Sequence, residues 1–296
     1  MTLSISVVMP SYNQAEFIEK TIQSVLSQDI PNLEFVIYDN LSSDGTIEIL
    51  KKYESRLRWI SEKDKGQGHA VNKGIQNTSG EIIGWVNSDD IYYPGALKSV
   101  LQYFETHPDV DLVYGDADHI DVQDQWIEDY YTEPWDLERL KDVCFLCQPA
   151  VFFHRRVAKR FGLLDERLYW CMDYEYWLRV GLGGAKVAYL PQKLAGSRMY
   201  PENKTLRSIR KVHREYLVML SRALGKVPDK WLYNYAHAVL DERGISRTKK
   251  KFAIWVSVIS LWTAIRWNKK VSKDMSRTTI SWVLDSFRRA FKVTSL

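Results

Sequence analysis

The sequence predicts an α/β protein with a mostly parallel sheet flanked by helices and a helical carboxy-terminal extension. Three observations carry this. Short apolar, β-rich runs alternate with helical periodicity over the first half of the chain. Polar and acidic residues collect where those runs end. After residue 205 the pattern is helical throughout.

Residues 4–9 (SISVVM) form the first apolar run, and residues 15–28 carry Phe17, Ile18, Ile22, Val25 and Leu26 at helical spacing. Residues 33–39 (LEFVIYD) read as a second strand, with Ser42, Ser43 and Asp44 as cap residues for a helix reaching Tyr53. A third strand is expected at 57–60, a helix at 69–76, and a fourth strand at 82–86 that ends in Asn87-Ser88-Asp89-Asp90. Pro94 suits the first turn of the next helix, where its missing N–H costs nothing. A fifth strand follows at 112–115. Such alternation argues for a mostly parallel sheet covered on both faces. The stretch 116–200 is less regular, with strands expected at 151–153 and 187–190 and a helix at 173–180. Four helices are expected beyond it, at 206–224, 230–242, 249–267 and 276–291. The chain is thus read as two parts, 1–205 and 206–296.

Among the 296 residues 45% are hydrophobic and 26% charged, which excludes a disordered, collagenous or disulfide-scaffold chain. The three cysteines, 144, 147 and 171, cannot pair off completely, so a reducing, cytoplasmic compartment is expected. No basic segment followed by an apolar one opens the sequence, so no cleaved signal peptide is expected. Near the end, the longest uncharged stretch is 14 residues, 252–265, short of the ~20 that span a bilayer. Charge divides the two parts sharply. Residues 1–205 carry 21 Lys and Arg against 31 Asp and Glu, and residues 206–296 carry 20 against 6. Net charges of −10 and +14 imply different neighbours.

Four consecutive strands end in polar clusters: Pro10-Ser11-Tyr12-Asn13, Asp39-Asn40, Asp64 to Gly68, and Asn87 to Asp90. In open α/β sheets, ligands bind outside the carboxyl ends of the strands. Adjacent carboxylates such as Asp89 and Asp90 repel unless a cation or hydrogen bonds neutralise them. Their oxygens suit Mg²⁺ or Mn²⁺ bridged to phosphate; equally, the acids can cap the helix at Pro94. The glycines of Asp64-Lys65-Gly66-Gln67-Gly68 can open backbone N–H groups to a ligand, or simply make a tight turn before a helix bearing Asn72. Asp173, set among Tyr169, Trp170, Tyr174, Tyr176 and Trp177, has the surroundings of a general base with raised pKa, or of a helix cap. Cys144 and Cys147 have the spacing of a zinc half-site, but no second pair follows, and packing is the better reading.

Together these stretches resemble the family 2 glycosyltransferases of the GT-A (Rossmann-like) fold. The carriers are VVMPSYNQ (7–14), DNLSSDGT (39–46), DKGQGHAVNKG (64–74), WVNSDDIYYPGAL (85–97) and MDYEYWLRV (172–180), in the family's order over residues 3–205. QPAVFF (148–153) points to the bacterial branch that builds cell-surface polysaccharides. The resemblance implies a GT-A catalytic domain that moves one sugar, with inversion, from a nucleotide-diphospho-sugar to a glycan or lipid-linked acceptor. It implies that Pro10, Tyr12 and Asn13 border the nucleotide, that Asp39 recognises uracil, and that Asp64, Gly66 and Asn72 complete the nucleoside site. Asp89 and Asp90 would hold Mn²⁺ or Mg²⁺ on the diphosphate, with Asn87 beside them, and Asp173 would be the catalytic base. Three departures stand out. Asn87 replaces the first acid of the usual DXD, and Met172 the acid before the base. Where members often carry a histidine two positions after an arginine, this chain reads Arg198-Met199-Tyr200, which leaves Arg198 or Lys204 to reach the diphosphate. The processive Gln-x-x-Arg-Trp signature is missing, which favours single transfers.

The resemblance fades after residue 205. Around the apolar run 252–265 stand Lys249, Lys250, Lys251, Arg266, Lys269 and Lys270, with Trp255, Trp262 and Trp267 within or beside it. Such a helix suits an anionic bilayer interface and would hold the enzyme peripherally on the inner face of the cell membrane. The alternative is a helix pair packed on the catalytic domain or on a second subunit, giving a homodimer. The basic charge permits nucleic-acid binding, but no motif accompanies it, and none is expected. A competing function for the whole chain is a non-catalytic scaffold that keeps the fold and binds within a glycan-assembly complex.

Overall fold

The computed structural model describes residues 3–204, 206–248 and 251–293. The chain forms two compact units, Met1–Leu140 with Cys144–Pro201, and Lys141–Val143 with Glu202–Leu296.

In the first unit, β1 (Ile5–Ser11), α1 (Ile18–Leu26), β2 (Glu34–Asp39), α2 (Thr46–Lys52), β3 (Arg58–Ser61), α3 (Gln67–Gln76) and β4 (Ile82–Trp85) follow the predicted alternation. Then come β5 (Ile91–Tyr92), α4 (Ala96–Thr106), β6 (Leu112–Ile120), β7 (Trp126–Asp129), α5 (Leu137–Asp142), β8 (Val151–His154), α6 (Arg155–Phe161), α7 (Met172–Leu182) and β9 (Val187–Arg198). The described strands form one sheet in the order β3-β2-β1-β4-β8-β6-β9-β5, with β7 on β6. The strands β1, β2, β3, β4, β6 and β9 run one way, and β5, β7 and β8 the other, so the sheet is mixed with a parallel majority. Parallel pairing places the carboxyl ends of β1 to β4 along one edge.

Alternation along β1 explains the two covered faces. Ile5, Val7 and Met9 point into a core shared with Ile18, Ile22 and Val25 of α1 and Leu97, Val100 and Phe104 of α4. Val8 points the other way, to Val36, Tyr38 and Ala70 of α3. That second contact is close. A Cβ on Gly74 would stand 2.1 Å from a Val8 methyl, so α3 lies on β1 only because residue 74 has no side chain.

Two departures from the predicted elements lie early: the short strand β5 is not among them, and Pro94 stands just before α4, whose N-cap is Gly95, rather than in its first turn. The larger departures lie beyond residue 115. The strands β6 and β9 run to Ile120 and Arg198, past the expected ends at 115 and 190. Pro191 breaks the apolar pattern there, and β9 bulges, its extra residues lying opposite Gly115 to Ala117 of β6. A Cβ on Gly115 would meet the Gln192 carbonyl at 2.6 Å, which fixes the site of the bulge. The acids of the second half of β6 read as loop, yet Asp118 is buried and accepts hydrogen bonds from Lys193 and Tyr93.

The second unit is helical: α8 (Ile209–Leu224), α9 (Asp229–Glu242), α10 (Phe252–Asn268) and α11 (Lys273–Val293). Its core joins Ala236 and Leu240 to Phe252 and Val256, with Ile245, Ile259 and Trp282 against them. The Asn268 amide exchanges two 2.8 Å hydrogen bonds with the Val227 backbone, tying the end of α10 to the turn before α9. The inward face of α10 carries Val256, Ser257, Ser260, Thr263 and Ala264; its outward face carries Trp255, Val258, Trp262 and Ile265. Among the described residues no helix is long and apolar enough to cross a membrane. Lys249 and Lys250 lie outside the described residues.

Candidate active site

The carboxyl ends of β1 to β4 carry the predicted polar residues to one edge of the first unit. Pro10 is buried within β1, and Ser11 after it holds a buried hydroxyl without a hydrogen-bond partner. Tyr12 is exposed. Asn13 adopts a left-handed backbone (φ 51°), which asparagine tolerates, and joins β1 to the loop after β2. Its N–H donates to Ser42 at 2.8 Å, and its amide oxygen accepts the Ser43 N–H at 2.9 Å. Asp39 ends β2 almost wholly buried. Its carboxylate accepts the Ser42 N–H at 2.9 Å, the Ser61 hydroxyl at 2.6 Å and the Ser42 hydroxyl. Asp64 caps the loop after β3 by accepting the Gly66 N–H at 2.7 Å. Gly66 (φ 118°) opens α3 in a conformation that side-chain-bearing residues rarely adopt.

The first turns of α3 and α7 meet. A Cβ on Gly68 would touch Met172 Sδ at 3.4 Å and Glu166 Cα at 3.8 Å. Asp173, the next residue, is half-buried in the first turn of α7. Glu175 on the same helix is held by Arg179 through hydrogen bonds of 2.7 and 2.9 Å, so it is not a second base. Burial pushes the Cys147 thiol well up, and the charges of Asp90, Asp173 and Asp118 push it further. One thiol therefore feels the charges of both Asp90 and the candidate base. Cys144 and Cys147 form no disulfide; Cys147 is buried and Cys144 half-buried.

The turn after β4 is a closed hydrogen-bond network. The Asn87 amide oxygen accepts from Gln67 at 2.6 Å and from the Trp85 indole at 3.1 Å; its NH₂ donates to Gln148 at 2.8 Å and to Asp90 at 3.1 Å. Gln148 continues the network to the Trp85 carbonyl at 2.6 Å. An aspartate at residue 87 could not donate to either acceptor, so the chain's departure from DXD is built into its packing. Asp90 is 4% exposed, and it accepts the Arg198 N–H at 3.0 Å besides the Asn87 amide. Burial, then the neighbouring Asp89 charge, push its pKa up to about 7, while these two donors pull it back. Asp89 is half-exposed, and the Tyr200 hydroxyl donates to its Oδ2 at 2.8 Å.

The structure gives three predicted contact residues other work. Both polar ends of Asn72 bind the loop before α7: its NH₂ donates to Leu164 O and Glu166 at 3.0 Å, and its oxygen accepts the Leu164 N–H at 3.0 Å. Arg198 is fully buried, stacked 4.8 Å from the Phe17 ring, and donates to Asp124 and to the Asp89 carbonyl. Asp90 faces inward, with both carboxylate oxygens engaged. Lys204 is half-buried and belongs to the second unit. Gln67, Gln148 and Tyr200 join the site without having been expected there. All three stand inside quoted motifs or, for Tyr200, two positions after Arg198, but nothing in their spacing says which acid or amide they meet.

Among the described residues no group of three or more His, Cys, Asp and Glu is arranged to hold a metal. A closed all-protein site is therefore not present among them. The donor set fits a cation held by one or two carboxylates and completed by substrate phosphates, the usual mode for Mg²⁺. Asp89 is the half-exposed carboxylate of the pair.

Residues 6–162 match the model of the family described as glycosyl transferase family 2. An uncharacterised glycosyltransferase of Rickettsia typhi is 28% identical over 236 residues, covering 75% of this chain and 72% of the relative. A second, from Rickettsia felis, is 28% identical over 67% of this chain, which spans only 34% of its length. The chondroitin synthase of Escherichia coli is 30% identical over 180 residues, 60% of this chain and 26% of the synthase. Among solved structures, S. aureus TarS residues 1–349 in complex with UDP-GlcNAc superposes with a TM-score of 0.63 at 18% identity, covering 97% of this chain and 90% of that one. The mannosyltransferase PcManGT of Pyrobaculum calidifontis, in complex with GDP-Man and Mn²⁺, gives 0.59 at 17% identity, covering 98% and 82%. At these identities the structural likenesses establish the GT-A fold.

Proposed function

The chain belongs to glycosyl transferase family 2, and from that premise we propose that it is an inverting, metal-dependent transferase of single sugars from a nucleotide-diphospho-sugar. The observation that carries this is the shared edge: the polar ends of β1 to β4, with the first turn of α7 and its Asp173 packed against the first turn of α3.

In this reading the nucleoside lies along Tyr12, Asn13, Asp39 and the Asp64–Gly66 loop. UDP is the favoured carrier, because Asp39 resembles the family's uracil-binding position; the TarS complex contains a UDP-sugar and the PcManGT complex a GDP-sugar. Asp89 would hold Mn²⁺ or Mg²⁺ on the diphosphate, with Asp90 as an inner support. Bound there, the cation supplies charge neutralisation for the departing nucleoside diphosphate. Asp173 Oδ takes the proton from an acceptor hydroxyl as that oxygen forms its bond to the anomeric carbon. The bond from that carbon to the diphosphate oxygen breaks on the opposite face, and the configuration inverts. Asn72 and Arg198 stay outside the donor contacts as positioning residues. The acceptor we propose is a glycan or lipid-linked saccharide of cell-surface polysaccharide synthesis, reached from the inner face of the membrane, with 206–296 as the region that holds the enzyme there.

The test is donor binding and slow donor hydrolysis over a panel of UDP-, GDP- and dTDP-sugars with Mn²⁺, Mg²⁺ or EDTA. One sugar nucleotide should bind in a metal-dependent way, with its hydrolysis lost in Asp173→Asn. Binding without turnover on any acceptor would favour the scaffold reading, which the closed Asn87 network motivates.

A further inference from the structure

Helix α10 is inverted relative to a helix of an ordinary soluble domain. Beyond Phe252 and Val256 near its start, its buried face holds small and hydroxyl-bearing residues, Ser257, Ser260, Thr263 and Ala264. Four of its large apolar residues are outside: Trp255, Val258, Trp262 and Ile265 are 49%, 51%, 63% and 57% exposed. The spacing of three, four and three residues puts all four on one stripe. Lys251 lies at one end of that stripe and Arg266 and Lys269 at the other, all exposed. Helix α11 repeats the pattern with Lys273, Arg277, Ile280 and Leu284, all exposed and at helical spacing. Contiguous exposed apolar stripes of this kind mark an interaction surface.

We propose that the outward face of α10, with that of α11, docks on the surface of an anionic lipid bilayer. Tryptophans on one face with cations at its ends suit the headgroup boundary, where the rings enter the acyl region and the cations meet lipid phosphates. No described helix crosses a membrane, so the helices lie on the surface rather than span it. Charge decides against a second copy of this chain as the occupant. Residues 206–296 carry 20 Lys and Arg against 6 Asp and Glu, and a two-fold contact would bring these cations together. The docking surface gives the proposed membrane role its residues, and it rests on the transferase reading only for its purpose, since lipid binding needs no turnover.

The experiment is sedimentation of the full-length protein with phosphatidylcholine vesicles, with and without phosphatidylglycerol. The protein should bind the phosphatidylglycerol vesicles, with a blue shift of tryptophan emission and weakening in salt. Trp255→Ser with Trp262→Ser should lower the partition coefficient about tenfold or more. Its circular dichroism and its donor hydrolysis in solution should stay unchanged, because both side chains are outside the helical core. Trp255→Phe with Trp262→Phe should keep binding, and Lys269→Glu with Lys270→Glu should weaken it on anionic vesicles alone. Equal sedimentation of wild type and the double serine variant would overturn the proposal. So would a dimer in light scattering that the serine variant dissolves, which would make the stripe a self-association face. Loss of donor hydrolysis without loss of vesicle binding would count against the transferase reading and leave this one standing.

Discussion

Carboxylates and a guanidinium are buried in the first unit, while tryptophans are exposed in the second. At the turn after β4, Asp90 and Arg198 are buried against the usual preference of charges, yet each meets a partner within its own unit: Asn87, Asp124 and backbone groups. On α10, Trp255 and Trp262 are exposed while Ser260 lies inside with a hydroxyl that no partner satisfies. A buried charge with local partners is a fixed part of a site. An exposed apolar stripe without them implies a partner supplied from outside the chain.

Substitutions can break or sharpen this contrast, and the largest effect is expected at the base. Asp173→Asn should lower kcat about 10³-fold while donor affinity stays within about threefold, because a general base contributes typically 10²–10⁴; stopped assays with a UDP-sugar panel separate the two. Arg198→Met should cost about 3 kcal/mol in a denaturant titration, since it strips the inner face of the turn of its cation and leaves Asp124 with less compensation. Tyr200→Phe should raise the Mn²⁺ concentration needed for half-maximal donor hydrolysis about tenfold, the size of effect expected when a residue that orients a metal ligand is lost. Unchanged Mn²⁺ dependence would show that Asp89 needs no such support. Asn87→Asp, which restores the family's acid, should destabilise by about 2 kcal/mol, because two donated hydrogen bonds vanish beside a crowded pair of acids. The smallest effect belongs to α10. Ser260→Ala should be neutral or stabilise by up to about 1 kcal/mol, since it removes a buried hydroxyl that no partner satisfies.

Much of the parallel half of the sheet was legible because each strand there is an apolar run ended by a polar cluster. Beyond residue 115 the signal fails for a physical reason. The residues Asp116, Asp118 and Lys193 neutralise one another or find tyrosines across strands, so strand positions look like loop until the pairing is known. The candidate site was legible as a set of motifs but not as a set of contacts. Asp39 and Asp64 stand where the pattern put them, whereas Asn72 and Arg198 are drawn into packing by Leu164, Glu166 and Asp124, partners up to 94 residues away in sequence. The inversion of α10 was also invisible, because a helix that is apolar on most sides does not announce which side faces in.

The Asn72 amide has one further consequence. It joins α3, which begins at the Gly66 loop, to residues 164–166, which lead into α7 and Asp173. With Gly68 against Met172, this pins to one another the Gly66 loop and the start of α7, the two elements to which the proposed mechanism gives donor and base. A shift of that loop that keeps these contacts carries residues 164–166 along with it. If Asp173 is the base as proposed, lengthening the Asn72 side chain to glutamine is expected to alter the spacing of the reaction without touching a reacting atom.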